Sequence, residues 1–256
     1  MRIDKILVQQ GIAPSRTSAQ RWIVDGAVSV IVEGKTHCVR KSTEQFSTDV
    51  NIVIDHNLLP RFVSRAGDKL ANALDYYADD VANVMRGQSV LDVGQSTGGF
   101  TDCVLQAGAK KVLGIEVGHD QLDKTLCNDP RVTCWEGVNA RMLDHDACLA
   151  VQPEGFDIVV MDVSFISQTL ILPQLSAVMR PGALLFSLVK PQSEVGSDGV
   201  GKGGIVRDRG LYLEVEQKVC STVKKHGWDR LAYIESLPRG ADGNQEFFLI
   251  ARKLTR

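Results

Sequence analysis

A chain of 256 residues, 44% hydrophobic and 23% charged, has the composition of a globular protein with room for one large core and one small one, and excludes a disordered or collagen-like chain. No stretch approaches the ~20 apolar residues of a membrane span, and Arg2, Asp4 and Lys5 interrupt any opening apolar run of the kind a secretion signal needs. The net charge of −2 is unevenly placed: residues 1–69 carry ten Lys/Arg against seven Asp/Glu, and the remainder nineteen against twenty-four. A basic start on an acidic chain permits a nucleic-acid partner, although a solvated charged face accounts equally well for the charge alone. Six cysteines without C-x-x-C pairing and five scattered histidines argue against a zinc site. They fit free thiols in a reducing cytoplasm.

In chain order, Ile3, Ile6 and Leu7 have helical spacing, and Gly11 stops that helix. Ser15 then reads as the N-cap of a second helix, with Ala19, Trp22 and Ile23 on one face and Gly26 at its end. Short β-prone pieces follow at Val28–Val32, His37–Val39 and Val50–Ile54, with Glu33-Gly34 as a turn. These make a small α+β domain over 1–58. A linker is expected over 59–66, since Pro60 disfavours helix at Leu59, and a larger domain over 67–256.

A helix capped by Ser64 or Gly67 runs to about Asp80, with Leu70, Ala73 and Leu74 inward. Lys69 lies in its first turn, where a cation opposes the helix dipole. The segment QSVLDVGQSTGGF (88–100) is a strand, then a loop with Gly94, Gly98 and Gly99, then a helix start. Such a geometry suits a nucleotide because the helix start offers free amides. The spacing is neither G-x-G-x-x-G nor a P-loop, so a tight turn without a ligand fits the loop as well. Further buried strands are expected at Lys111–Val117, Val132–Trp135, Phe156–Val163 and Ala183–Val189. Helices at 102–106, 119–127 and 166–179 separate them. Alternating strands and helices predict an α/β fold with a mostly parallel, Rossmann-like sheet. A glycine-rich flexible loop (196–204), a helix over Leu211–His226, and strands at Leu231–Ile234 and Glu246–Ala251 complete the chain. The last strands frame a loop through residues 240–244, and the final strand is expected to run antiparallel.

In open α/β sheets, ligands sit at the carboxyl ends of the strands. Gly94, Glu116, Asp162 and Lys190 fall at such ends. Glu246, opening an antiparallel strand, falls at the same rim, as does Lys69 at the start of a helix leading down into the first strand.

This Lys69-Asp162-Lys190-Glu246 set resembles that of the FtsJ-type RNA 2′-O-methyltransferases. The opening pattern Arg2, Asp4, Leu7, Ser15, Arg16, Ala19, Ile23, Gly26 and Val28 resembles an S4 RNA-binding domain, with Val32-Glu33-Gly34 replacing the usual V-N-G turn. Together with SRAGDKL (64–70), LDVGQSTGGFTD (91–102), MDVSFIS (161–167), VKPQ (189–192), GKGGIVRD (201–208) and NQEFFL (244–249), the whole chain resembles the haemolysin A (TlyA-type) rRNA methyltransferase family. Departures are Ala66 for Gly, Glu116 for Asp and Ser193 for Phe. The resemblance implies a class I methyltransferase domain that uses S-adenosylmethionine. Lys69, Asp162, Lys190 and Glu246 would be catalytic, with Lys190 the base if Lys69 helps keep its amine neutral. Asp92, Gly94, Ser96, Thr97, Gly98, Gly99, Phe100, Glu116, Asn139 and Asp162 would hold the cofactor. Arg2, Lys5, Arg16, Arg21 and Arg65 would meet RNA phosphates.

The implied reaction is 2′-O-methylation of ribosomal RNA, free or in a ribosomal subunit, by a monomeric cytoplasmic enzyme with no metal and no membrane partner. Short chain ends resemble the family form that modifies only a large-subunit cytidine. Competing readings are a non-catalytic RNA-binding factor, disfavoured by the presence of both lysines, and a small-molecule methyltransferase, disfavoured by the S4-like start. A membrane-lysing protein is disfavoured because no strongly cationic amphipathic helix is evident.

Overall fold

Two apolar stripes close the first unit, Met1–Val63. Helix α1 (Ile3–Gln9) turns Ile3, Ile6 and Leu7 inward, and helix α2 (Arg16–Val24) turns Ala19 and Ile23 against them. Ser15 caps α2, accepting the amide of Ser18 at 3.1 Å. Gly11 and Gly26 leave the two helices with φ of 71° and 80°, the left-handed conformation that glycine adopts freely. Strand β1 (Val28–Val32) lies between β2 (Lys35–Cys38) and β3 (Asn51–Ile54), antiparallel to both. Glu33 and Gly34 both take positive φ, which gives the two-residue hairpin turn that matches strand twist. Pairing is regular from Ser29–Cys38 to Val32–Lys35, so the Glu33-for-Asn exchange does not slip the register.

The second unit, Ser64–Arg256, begins inside the stretch expected to be a linker. In this computed structural model the described residues are 1–196, 199–201, 203–240 and 243–255. Parts of the expected 196–204 and 240–244 loops therefore lie outside the described residues. Helix α3 (Arg65–Tyr77) stops at Ala78, short of the expected Asp80. Asp80 instead caps a short helix α4 (Val81–Met85), accepting the amide of Asn83 at 3.2 Å. Ala66 lies in the first turn of α3 and needs no left-handed φ, so its Cβ is no burden to the backbone.

Seven strands follow: β4 (Ser89–Val93), β5 (Lys111–Ile115), β6 (Val132–Trp135), β7 (Phe156–Met161), β8 (Met179–Val189), β9 (Trp228–Glu235) and β10 (Phe247–Lys253). Their order is β6-β5-β4-β7-β8-β10-β9. The first five run parallel and β10 runs against both β8 and β9. The fold is thus the expected mostly parallel α/β sheet with an antiparallel last strand. All five residues of β4 are buried, as expected for a central strand covered on both faces.

The interstrand helices are α5 (Gly99–Gln106), α6 (Lys124–Cys127), α7 (His145–Val151), α8 (Leu172–Val178), α9 (Pro191–Glu194) and α10 (Arg209–Lys225). The expected 119–127 helix shrinks to α6 because Asp120 takes φ of 55°. The expected 166–179 helix divides into a 3-10 turn at Gln168–Leu170 and α8, and Met179 already belongs to β8. On one face of the sheet Leu172, Leu175, Val215, Val219 and Trp228 pack on Leu91, Val159, Leu185 and Leu249. Leu70, Leu74 and Val104 of α3 and α5 are buried as well.

Candidate active site

Strand polarity brings the rim residues together. Asp162 follows β7, Lys190 follows β8 and Glu246 precedes β10, and these three strands are neighbours. Phe247 pairs with Val189, so one step outward along the same register Glu246 lies beside Lys190. Lys69, which opens the second turn of α3 rather than lying in the first as expected, forms an ion pair with Glu246, and both side chains are nearly buried. Lys190 Nζ lies 2.6 Å from Asp162 Oδ1 and 2.7 Å from Ser164 Oγ. The four residues therefore form two lysine–carboxylate pairs at one edge. Ser164, which sequence reasoning passed over, is the second anchor of Lys190.

The three glycines of the loop serve three close approaches. A Cβ on Gly94 would stand 2.4 Å from the main-chain oxygen of Asp162, at φ of 83°. One on Gly98 would stand 2.3 Å from Leu126 of α6, and one on Gly99 2.1 Å from Ser64 Oγ at the head of α3. Gly94 thus seats the loop against the β7 end, Gly98 admits α6, and Gly99 lets the heads of α3 and α5 touch.

Two cavities open beside this loop. The larger, about 490 Å³, is lined by Gly94, Ser96, Glu116, Asn139 and Asp162, with apolar walls from Val138, Ile166 and Ile171. The smaller, about 80 Å³, lies between Ser64, Ala66, Thr97, Gly99, Phe100 and Asp162. Glu116 accepts the amides of Ser96 and Gly118, each at 2.8 Å, and each carboxylate oxygen keeps a lone pair for a ligand hydroxyl. Asn139 is exposed, and its side chain accepts the amide of Arg141 at 3.0 Å.

Asp92 and Gly98 line neither cavity. Asp92 is fully buried beneath the loop, where its Oδ2 accepts the Thr101 hydroxyl at 2.7 Å. Burial pushes its carboxyl up to about 7 against the Thr101 bonds, and the charges of Asp162 and Glu116 add to the rise. Gln95, also buried, donates to Thr101 Oγ at 2.8 Å and fits only because Gly114 of β5 has no side chain. Asp92 Oδ1 and Gln95 Oε1 are buried without a hydrogen-bond partner among the described residues.

The wall facing Glu116 is the segment Ser164–Gln168, which is laced to the residues after β8. Ser193 Oγ accepts the amide of Phe165 at 3.3 Å, and buried Glu194 accepts Ser167 Oγ at 2.5 Å and the Gln168 amide at 2.8 Å. Lys218 of α10 backs Glu194 at 3.2 Å. Phe165 itself is fully exposed, with φ of 62°. A bulky residue in that conformation is held there by its surroundings. Neither Phe165 nor Glu194 gives a periodicity signal, and only their place beside MDVS and VKPQ marks them.

In the first unit Arg2 and Arg16 both reach Asp4 Oδ2 at 3.0 Å, and Gln20 joins them at 2.8 Å. Asp4 is completely buried, yet these three donors outweigh its desolvation and hold its carboxyl far below the usual range. Both arginines keep exposed edges. Arg21 is mostly covered and donates to the Phe62 carbonyl at 2.7 Å, whereas Lys5, on α1, and Arg65, in the second unit, are exposed.

This sheet order, with a glycine loop after the first parallel strand, an acid ending the second and paired lysines on the rim, defines a class I methyltransferase. The chain belongs to the FtsJ-like methyltransferase family, whose model matches residues 62–253, and carries an S4 domain match over residues 1–30. It is 38% identical over 254 residues to the 16S/23S rRNA (cytidine-2′-O)-methyltransferase TlyA of Mycobacterium tuberculosis, covering 99% of this chain and 90% of that one. It is 30% identical over 188 residues to the 23S rRNA (cytidine-2′-O)-methyltransferase TlyA of Campylobacter jejuni, 73% and 69% of the two chains. A solved structure from Streptococcus thermophilus superposes with a TM-score of 0.73 at 32% identity, over 99% of this chain and 88% of that one.

S-adenosylmethionine is the cofactor of this enzyme, and the residues fit it. The larger cavity offers apolar walls for a flat ring and a carboxylate for ribose hydroxyls, and the bare backbone at Gly94 lets a ligand approach.

Proposed function

We propose that the chain transfers a methyl group to the 2′-hydroxyl of a cytidine in ribosomal RNA, in the large subunit. The observation that carries the reading is the double pair Lys69–Glu246 and Lys190–Asp162 beside the cavity. The large subunit is favoured because 23S rRNA appears in the names of both the Mycobacterium tuberculosis and the Campylobacter jejuni relatives, and 16S rRNA only in the first. An rRNA substrate and the absence of any helix long and apolar enough to cross a membrane among the described residues fit work in the cytoplasm.

The cofactor supplies an activated methyl group, and the chain supplies alignment and a proton acceptor. In its neutral form Lys190 has two N–H groups and one lone pair. One N–H is directed to Ser164, and the Asp162 carboxylate stands 2.6 Å from the nitrogen as its charge partner, which leaves the lone pair for the ribose hydroxyl proton. Lys69, fixed by Glu246, places a positive charge near the oxygen as it loses that proton. Glu116 holds the ribose of the cofactor, Gly94 to Phe100 its methionine end, and Asn139 the edge of its base. Phe165 offers an aromatic face on which the target base stacks. The S4-like part contributes affinity through Arg2, Lys5 and Arg16, with Arg21 mainly a bracket for Phe62.

The test is transfer of labelled methyl to each purified subunit, with the modified nucleotide mapped. Lys190→Ala should lose at least a thousandfold in single-turnover rate while keeping cofactor affinity. Near-normal turnover in that variant would remove Lys190 as the base. Methylation confined to the small subunit would overturn the target.

A further inference from the structure

Behind the rim, on the other face of the sheet, lies another cavity of about 490 Å³. Successive strand residues point to opposite faces, so Glu246 turns toward Lys69 while Phe247 turns into this groove. Its aromatic side is continuous: Phe247 stacks on Tyr233 with centroids 5.2 Å apart and meets Tyr212 edge-on at 5.5 Å. Arg207, Arg209 and Arg239 line its mouth, and all three are exposed.

The charge here is unspent. Arg131, Arg180 and Arg230 each sit on a carboxylate. The guanidiniums of Arg207, Arg209 and Arg239 have no such partner among the described residues. Two acids share the groove. Glu216 is matched by Arg230 at 2.6 Å, and Glu235 is exposed, so three cations face one free carboxylate. Arg230, already matched by Glu216, covers the Tyr233 ring at 5.6 Å, and the free guanidiniums stand around the same aromatic cluster, an arrangement that suits a phosphodiester with a base or sugar against the rings.

The groove also lies where a polymer would pass. Phe247 pairs with Val189, the residue before Lys190, so groove and catalytic rim share the ends of β8 and β10. We propose that Arg207, Arg209 and Arg239 bind the RNA backbone next to the nucleotide presented to Lys190. The reading rests on the RNA methyltransferase function proposed above and gives this unit its own hold on the RNA, separate from the S4-like part.

The test uses the full-length protein and the single and triple Arg207→Gln, Arg209→Gln and Arg239→Gln variants, whose exposed side chains leave the fold undisturbed. Binding to protein-free large-subunit rRNA reads the groove without chemistry. The triple variant should bind at least tenfold more weakly, with a salt-dependence slope lower by about two to three, roughly one per lost phosphate contact. Each single variant should lose several-fold. Cofactor affinity by calorimetry should not change, and methyl transfer should show a raised KM for subunits with kcat within about twofold. Unchanged RNA affinity and slope would overturn the groove. Normal binding to bare rRNA with weakened binding to intact subunits would assign it to a protein and overturn it equally. Failure of the wild type to methylate any rRNA would refute the catalytic reading, and the bare-RNA binding result would still decide the groove.

Discussion

Asp92 and Thr101 are tied across the glycine loop, the Thr101 hydroxyl donating to the buried carboxylate at 2.7 Å. The bond joins the end of β4 to the first turn of α5, so it fixes the loop between them. It also makes stability depend on pH. Asp92 ordinarily titrates near 3.8 in the unfolded chain but near 7 when folded. Between those values the folded protein keeps a proton that the unfolded chain has released. Its contribution is therefore greatest below 3.8 and is lost as pH rises to about 7. Asp92→Asn should flatten that decline, gaining on the wild type between pH 5 and 8 in urea unfolding followed by circular dichroism. Parallel pH profiles would show that Asp92 is not the titrating group. Asp4, held low by its arginines, loses its contribution only as pH falls below 3.8, so the two windows do not overlap.

Gly94→Val should abolish cofactor binding in calorimetry. Its Cβ would lie 2.4 Å from the Asp162 carbonyl, and the β7 end would have to move. Gly98→Ala should act differently, since the nearest obstacles are the Leu126 and Leu122 side chains. A loss of stability of about 1–3 kcal/mol from left-handed strain and overpacking, with cofactor affinity reduced less than tenfold, is the expected outcome.

Glu194→Ala removes two bonds that hold the Ser164–Gln168 wall and leaves Lys218 without its carboxylate. We expect kcat to fall about tenfold, the equivalent of roughly 1.4 kcal/mol in the transition state, with cofactor affinity nearly unchanged. Glu194→Gln, which still accepts from Gln168, should recover part of the loss. Equal damage in both variants would point to a charge effect rather than to the wall.

Phe165→Ala touches no core contact, because the ring is fully exposed. Its stability should stay within about 0.5 kcal/mol of wild type. If the ring stacks on the target base, RNA turnover should fall about tenfold or more, consistent with ~1–3 kcal/mol per stacked base. Wild-type methylation rates in this variant would remove Phe165 from the substrate wall.

The rim could be read from sequence because buried parallel strands leave long apolar runs, and a charged residue directly after such a run marks its end. Asp162 and Lys190 stand out for that reason, and Glu246 follows once its strand is taken as antiparallel. Contacts between residues far apart in sequence left no such mark. Nothing in SRAGDKL says that Gly99 must be bare for Ser64, nor in KVLGIEV that Gly114 makes room for Gln95. Short capped helices were also hidden, as with α7, where Asp144 accepts the Ala147 amide at 2.9 Å inside a polar stretch without clear periodicity. In the S4-like part, the basic residues were legible as charge. Their attachment to Asp4 was not, because an R-x-D pattern does not say whether the acid is buried.

The reversed direction of β10 also has a consequence for biosynthesis. Its first residues, the last of the rim to leave the ribosome, bring Glu246 up to Lys69. A nascent chain that has emerged only as far as Lys190 already contains every residue lining the cavity beside the glycine loop, and Lys190 with its carboxylate. It still lacks the counter-charge of Lys69, so the rim is completed only once the chain has emerged as far as β10.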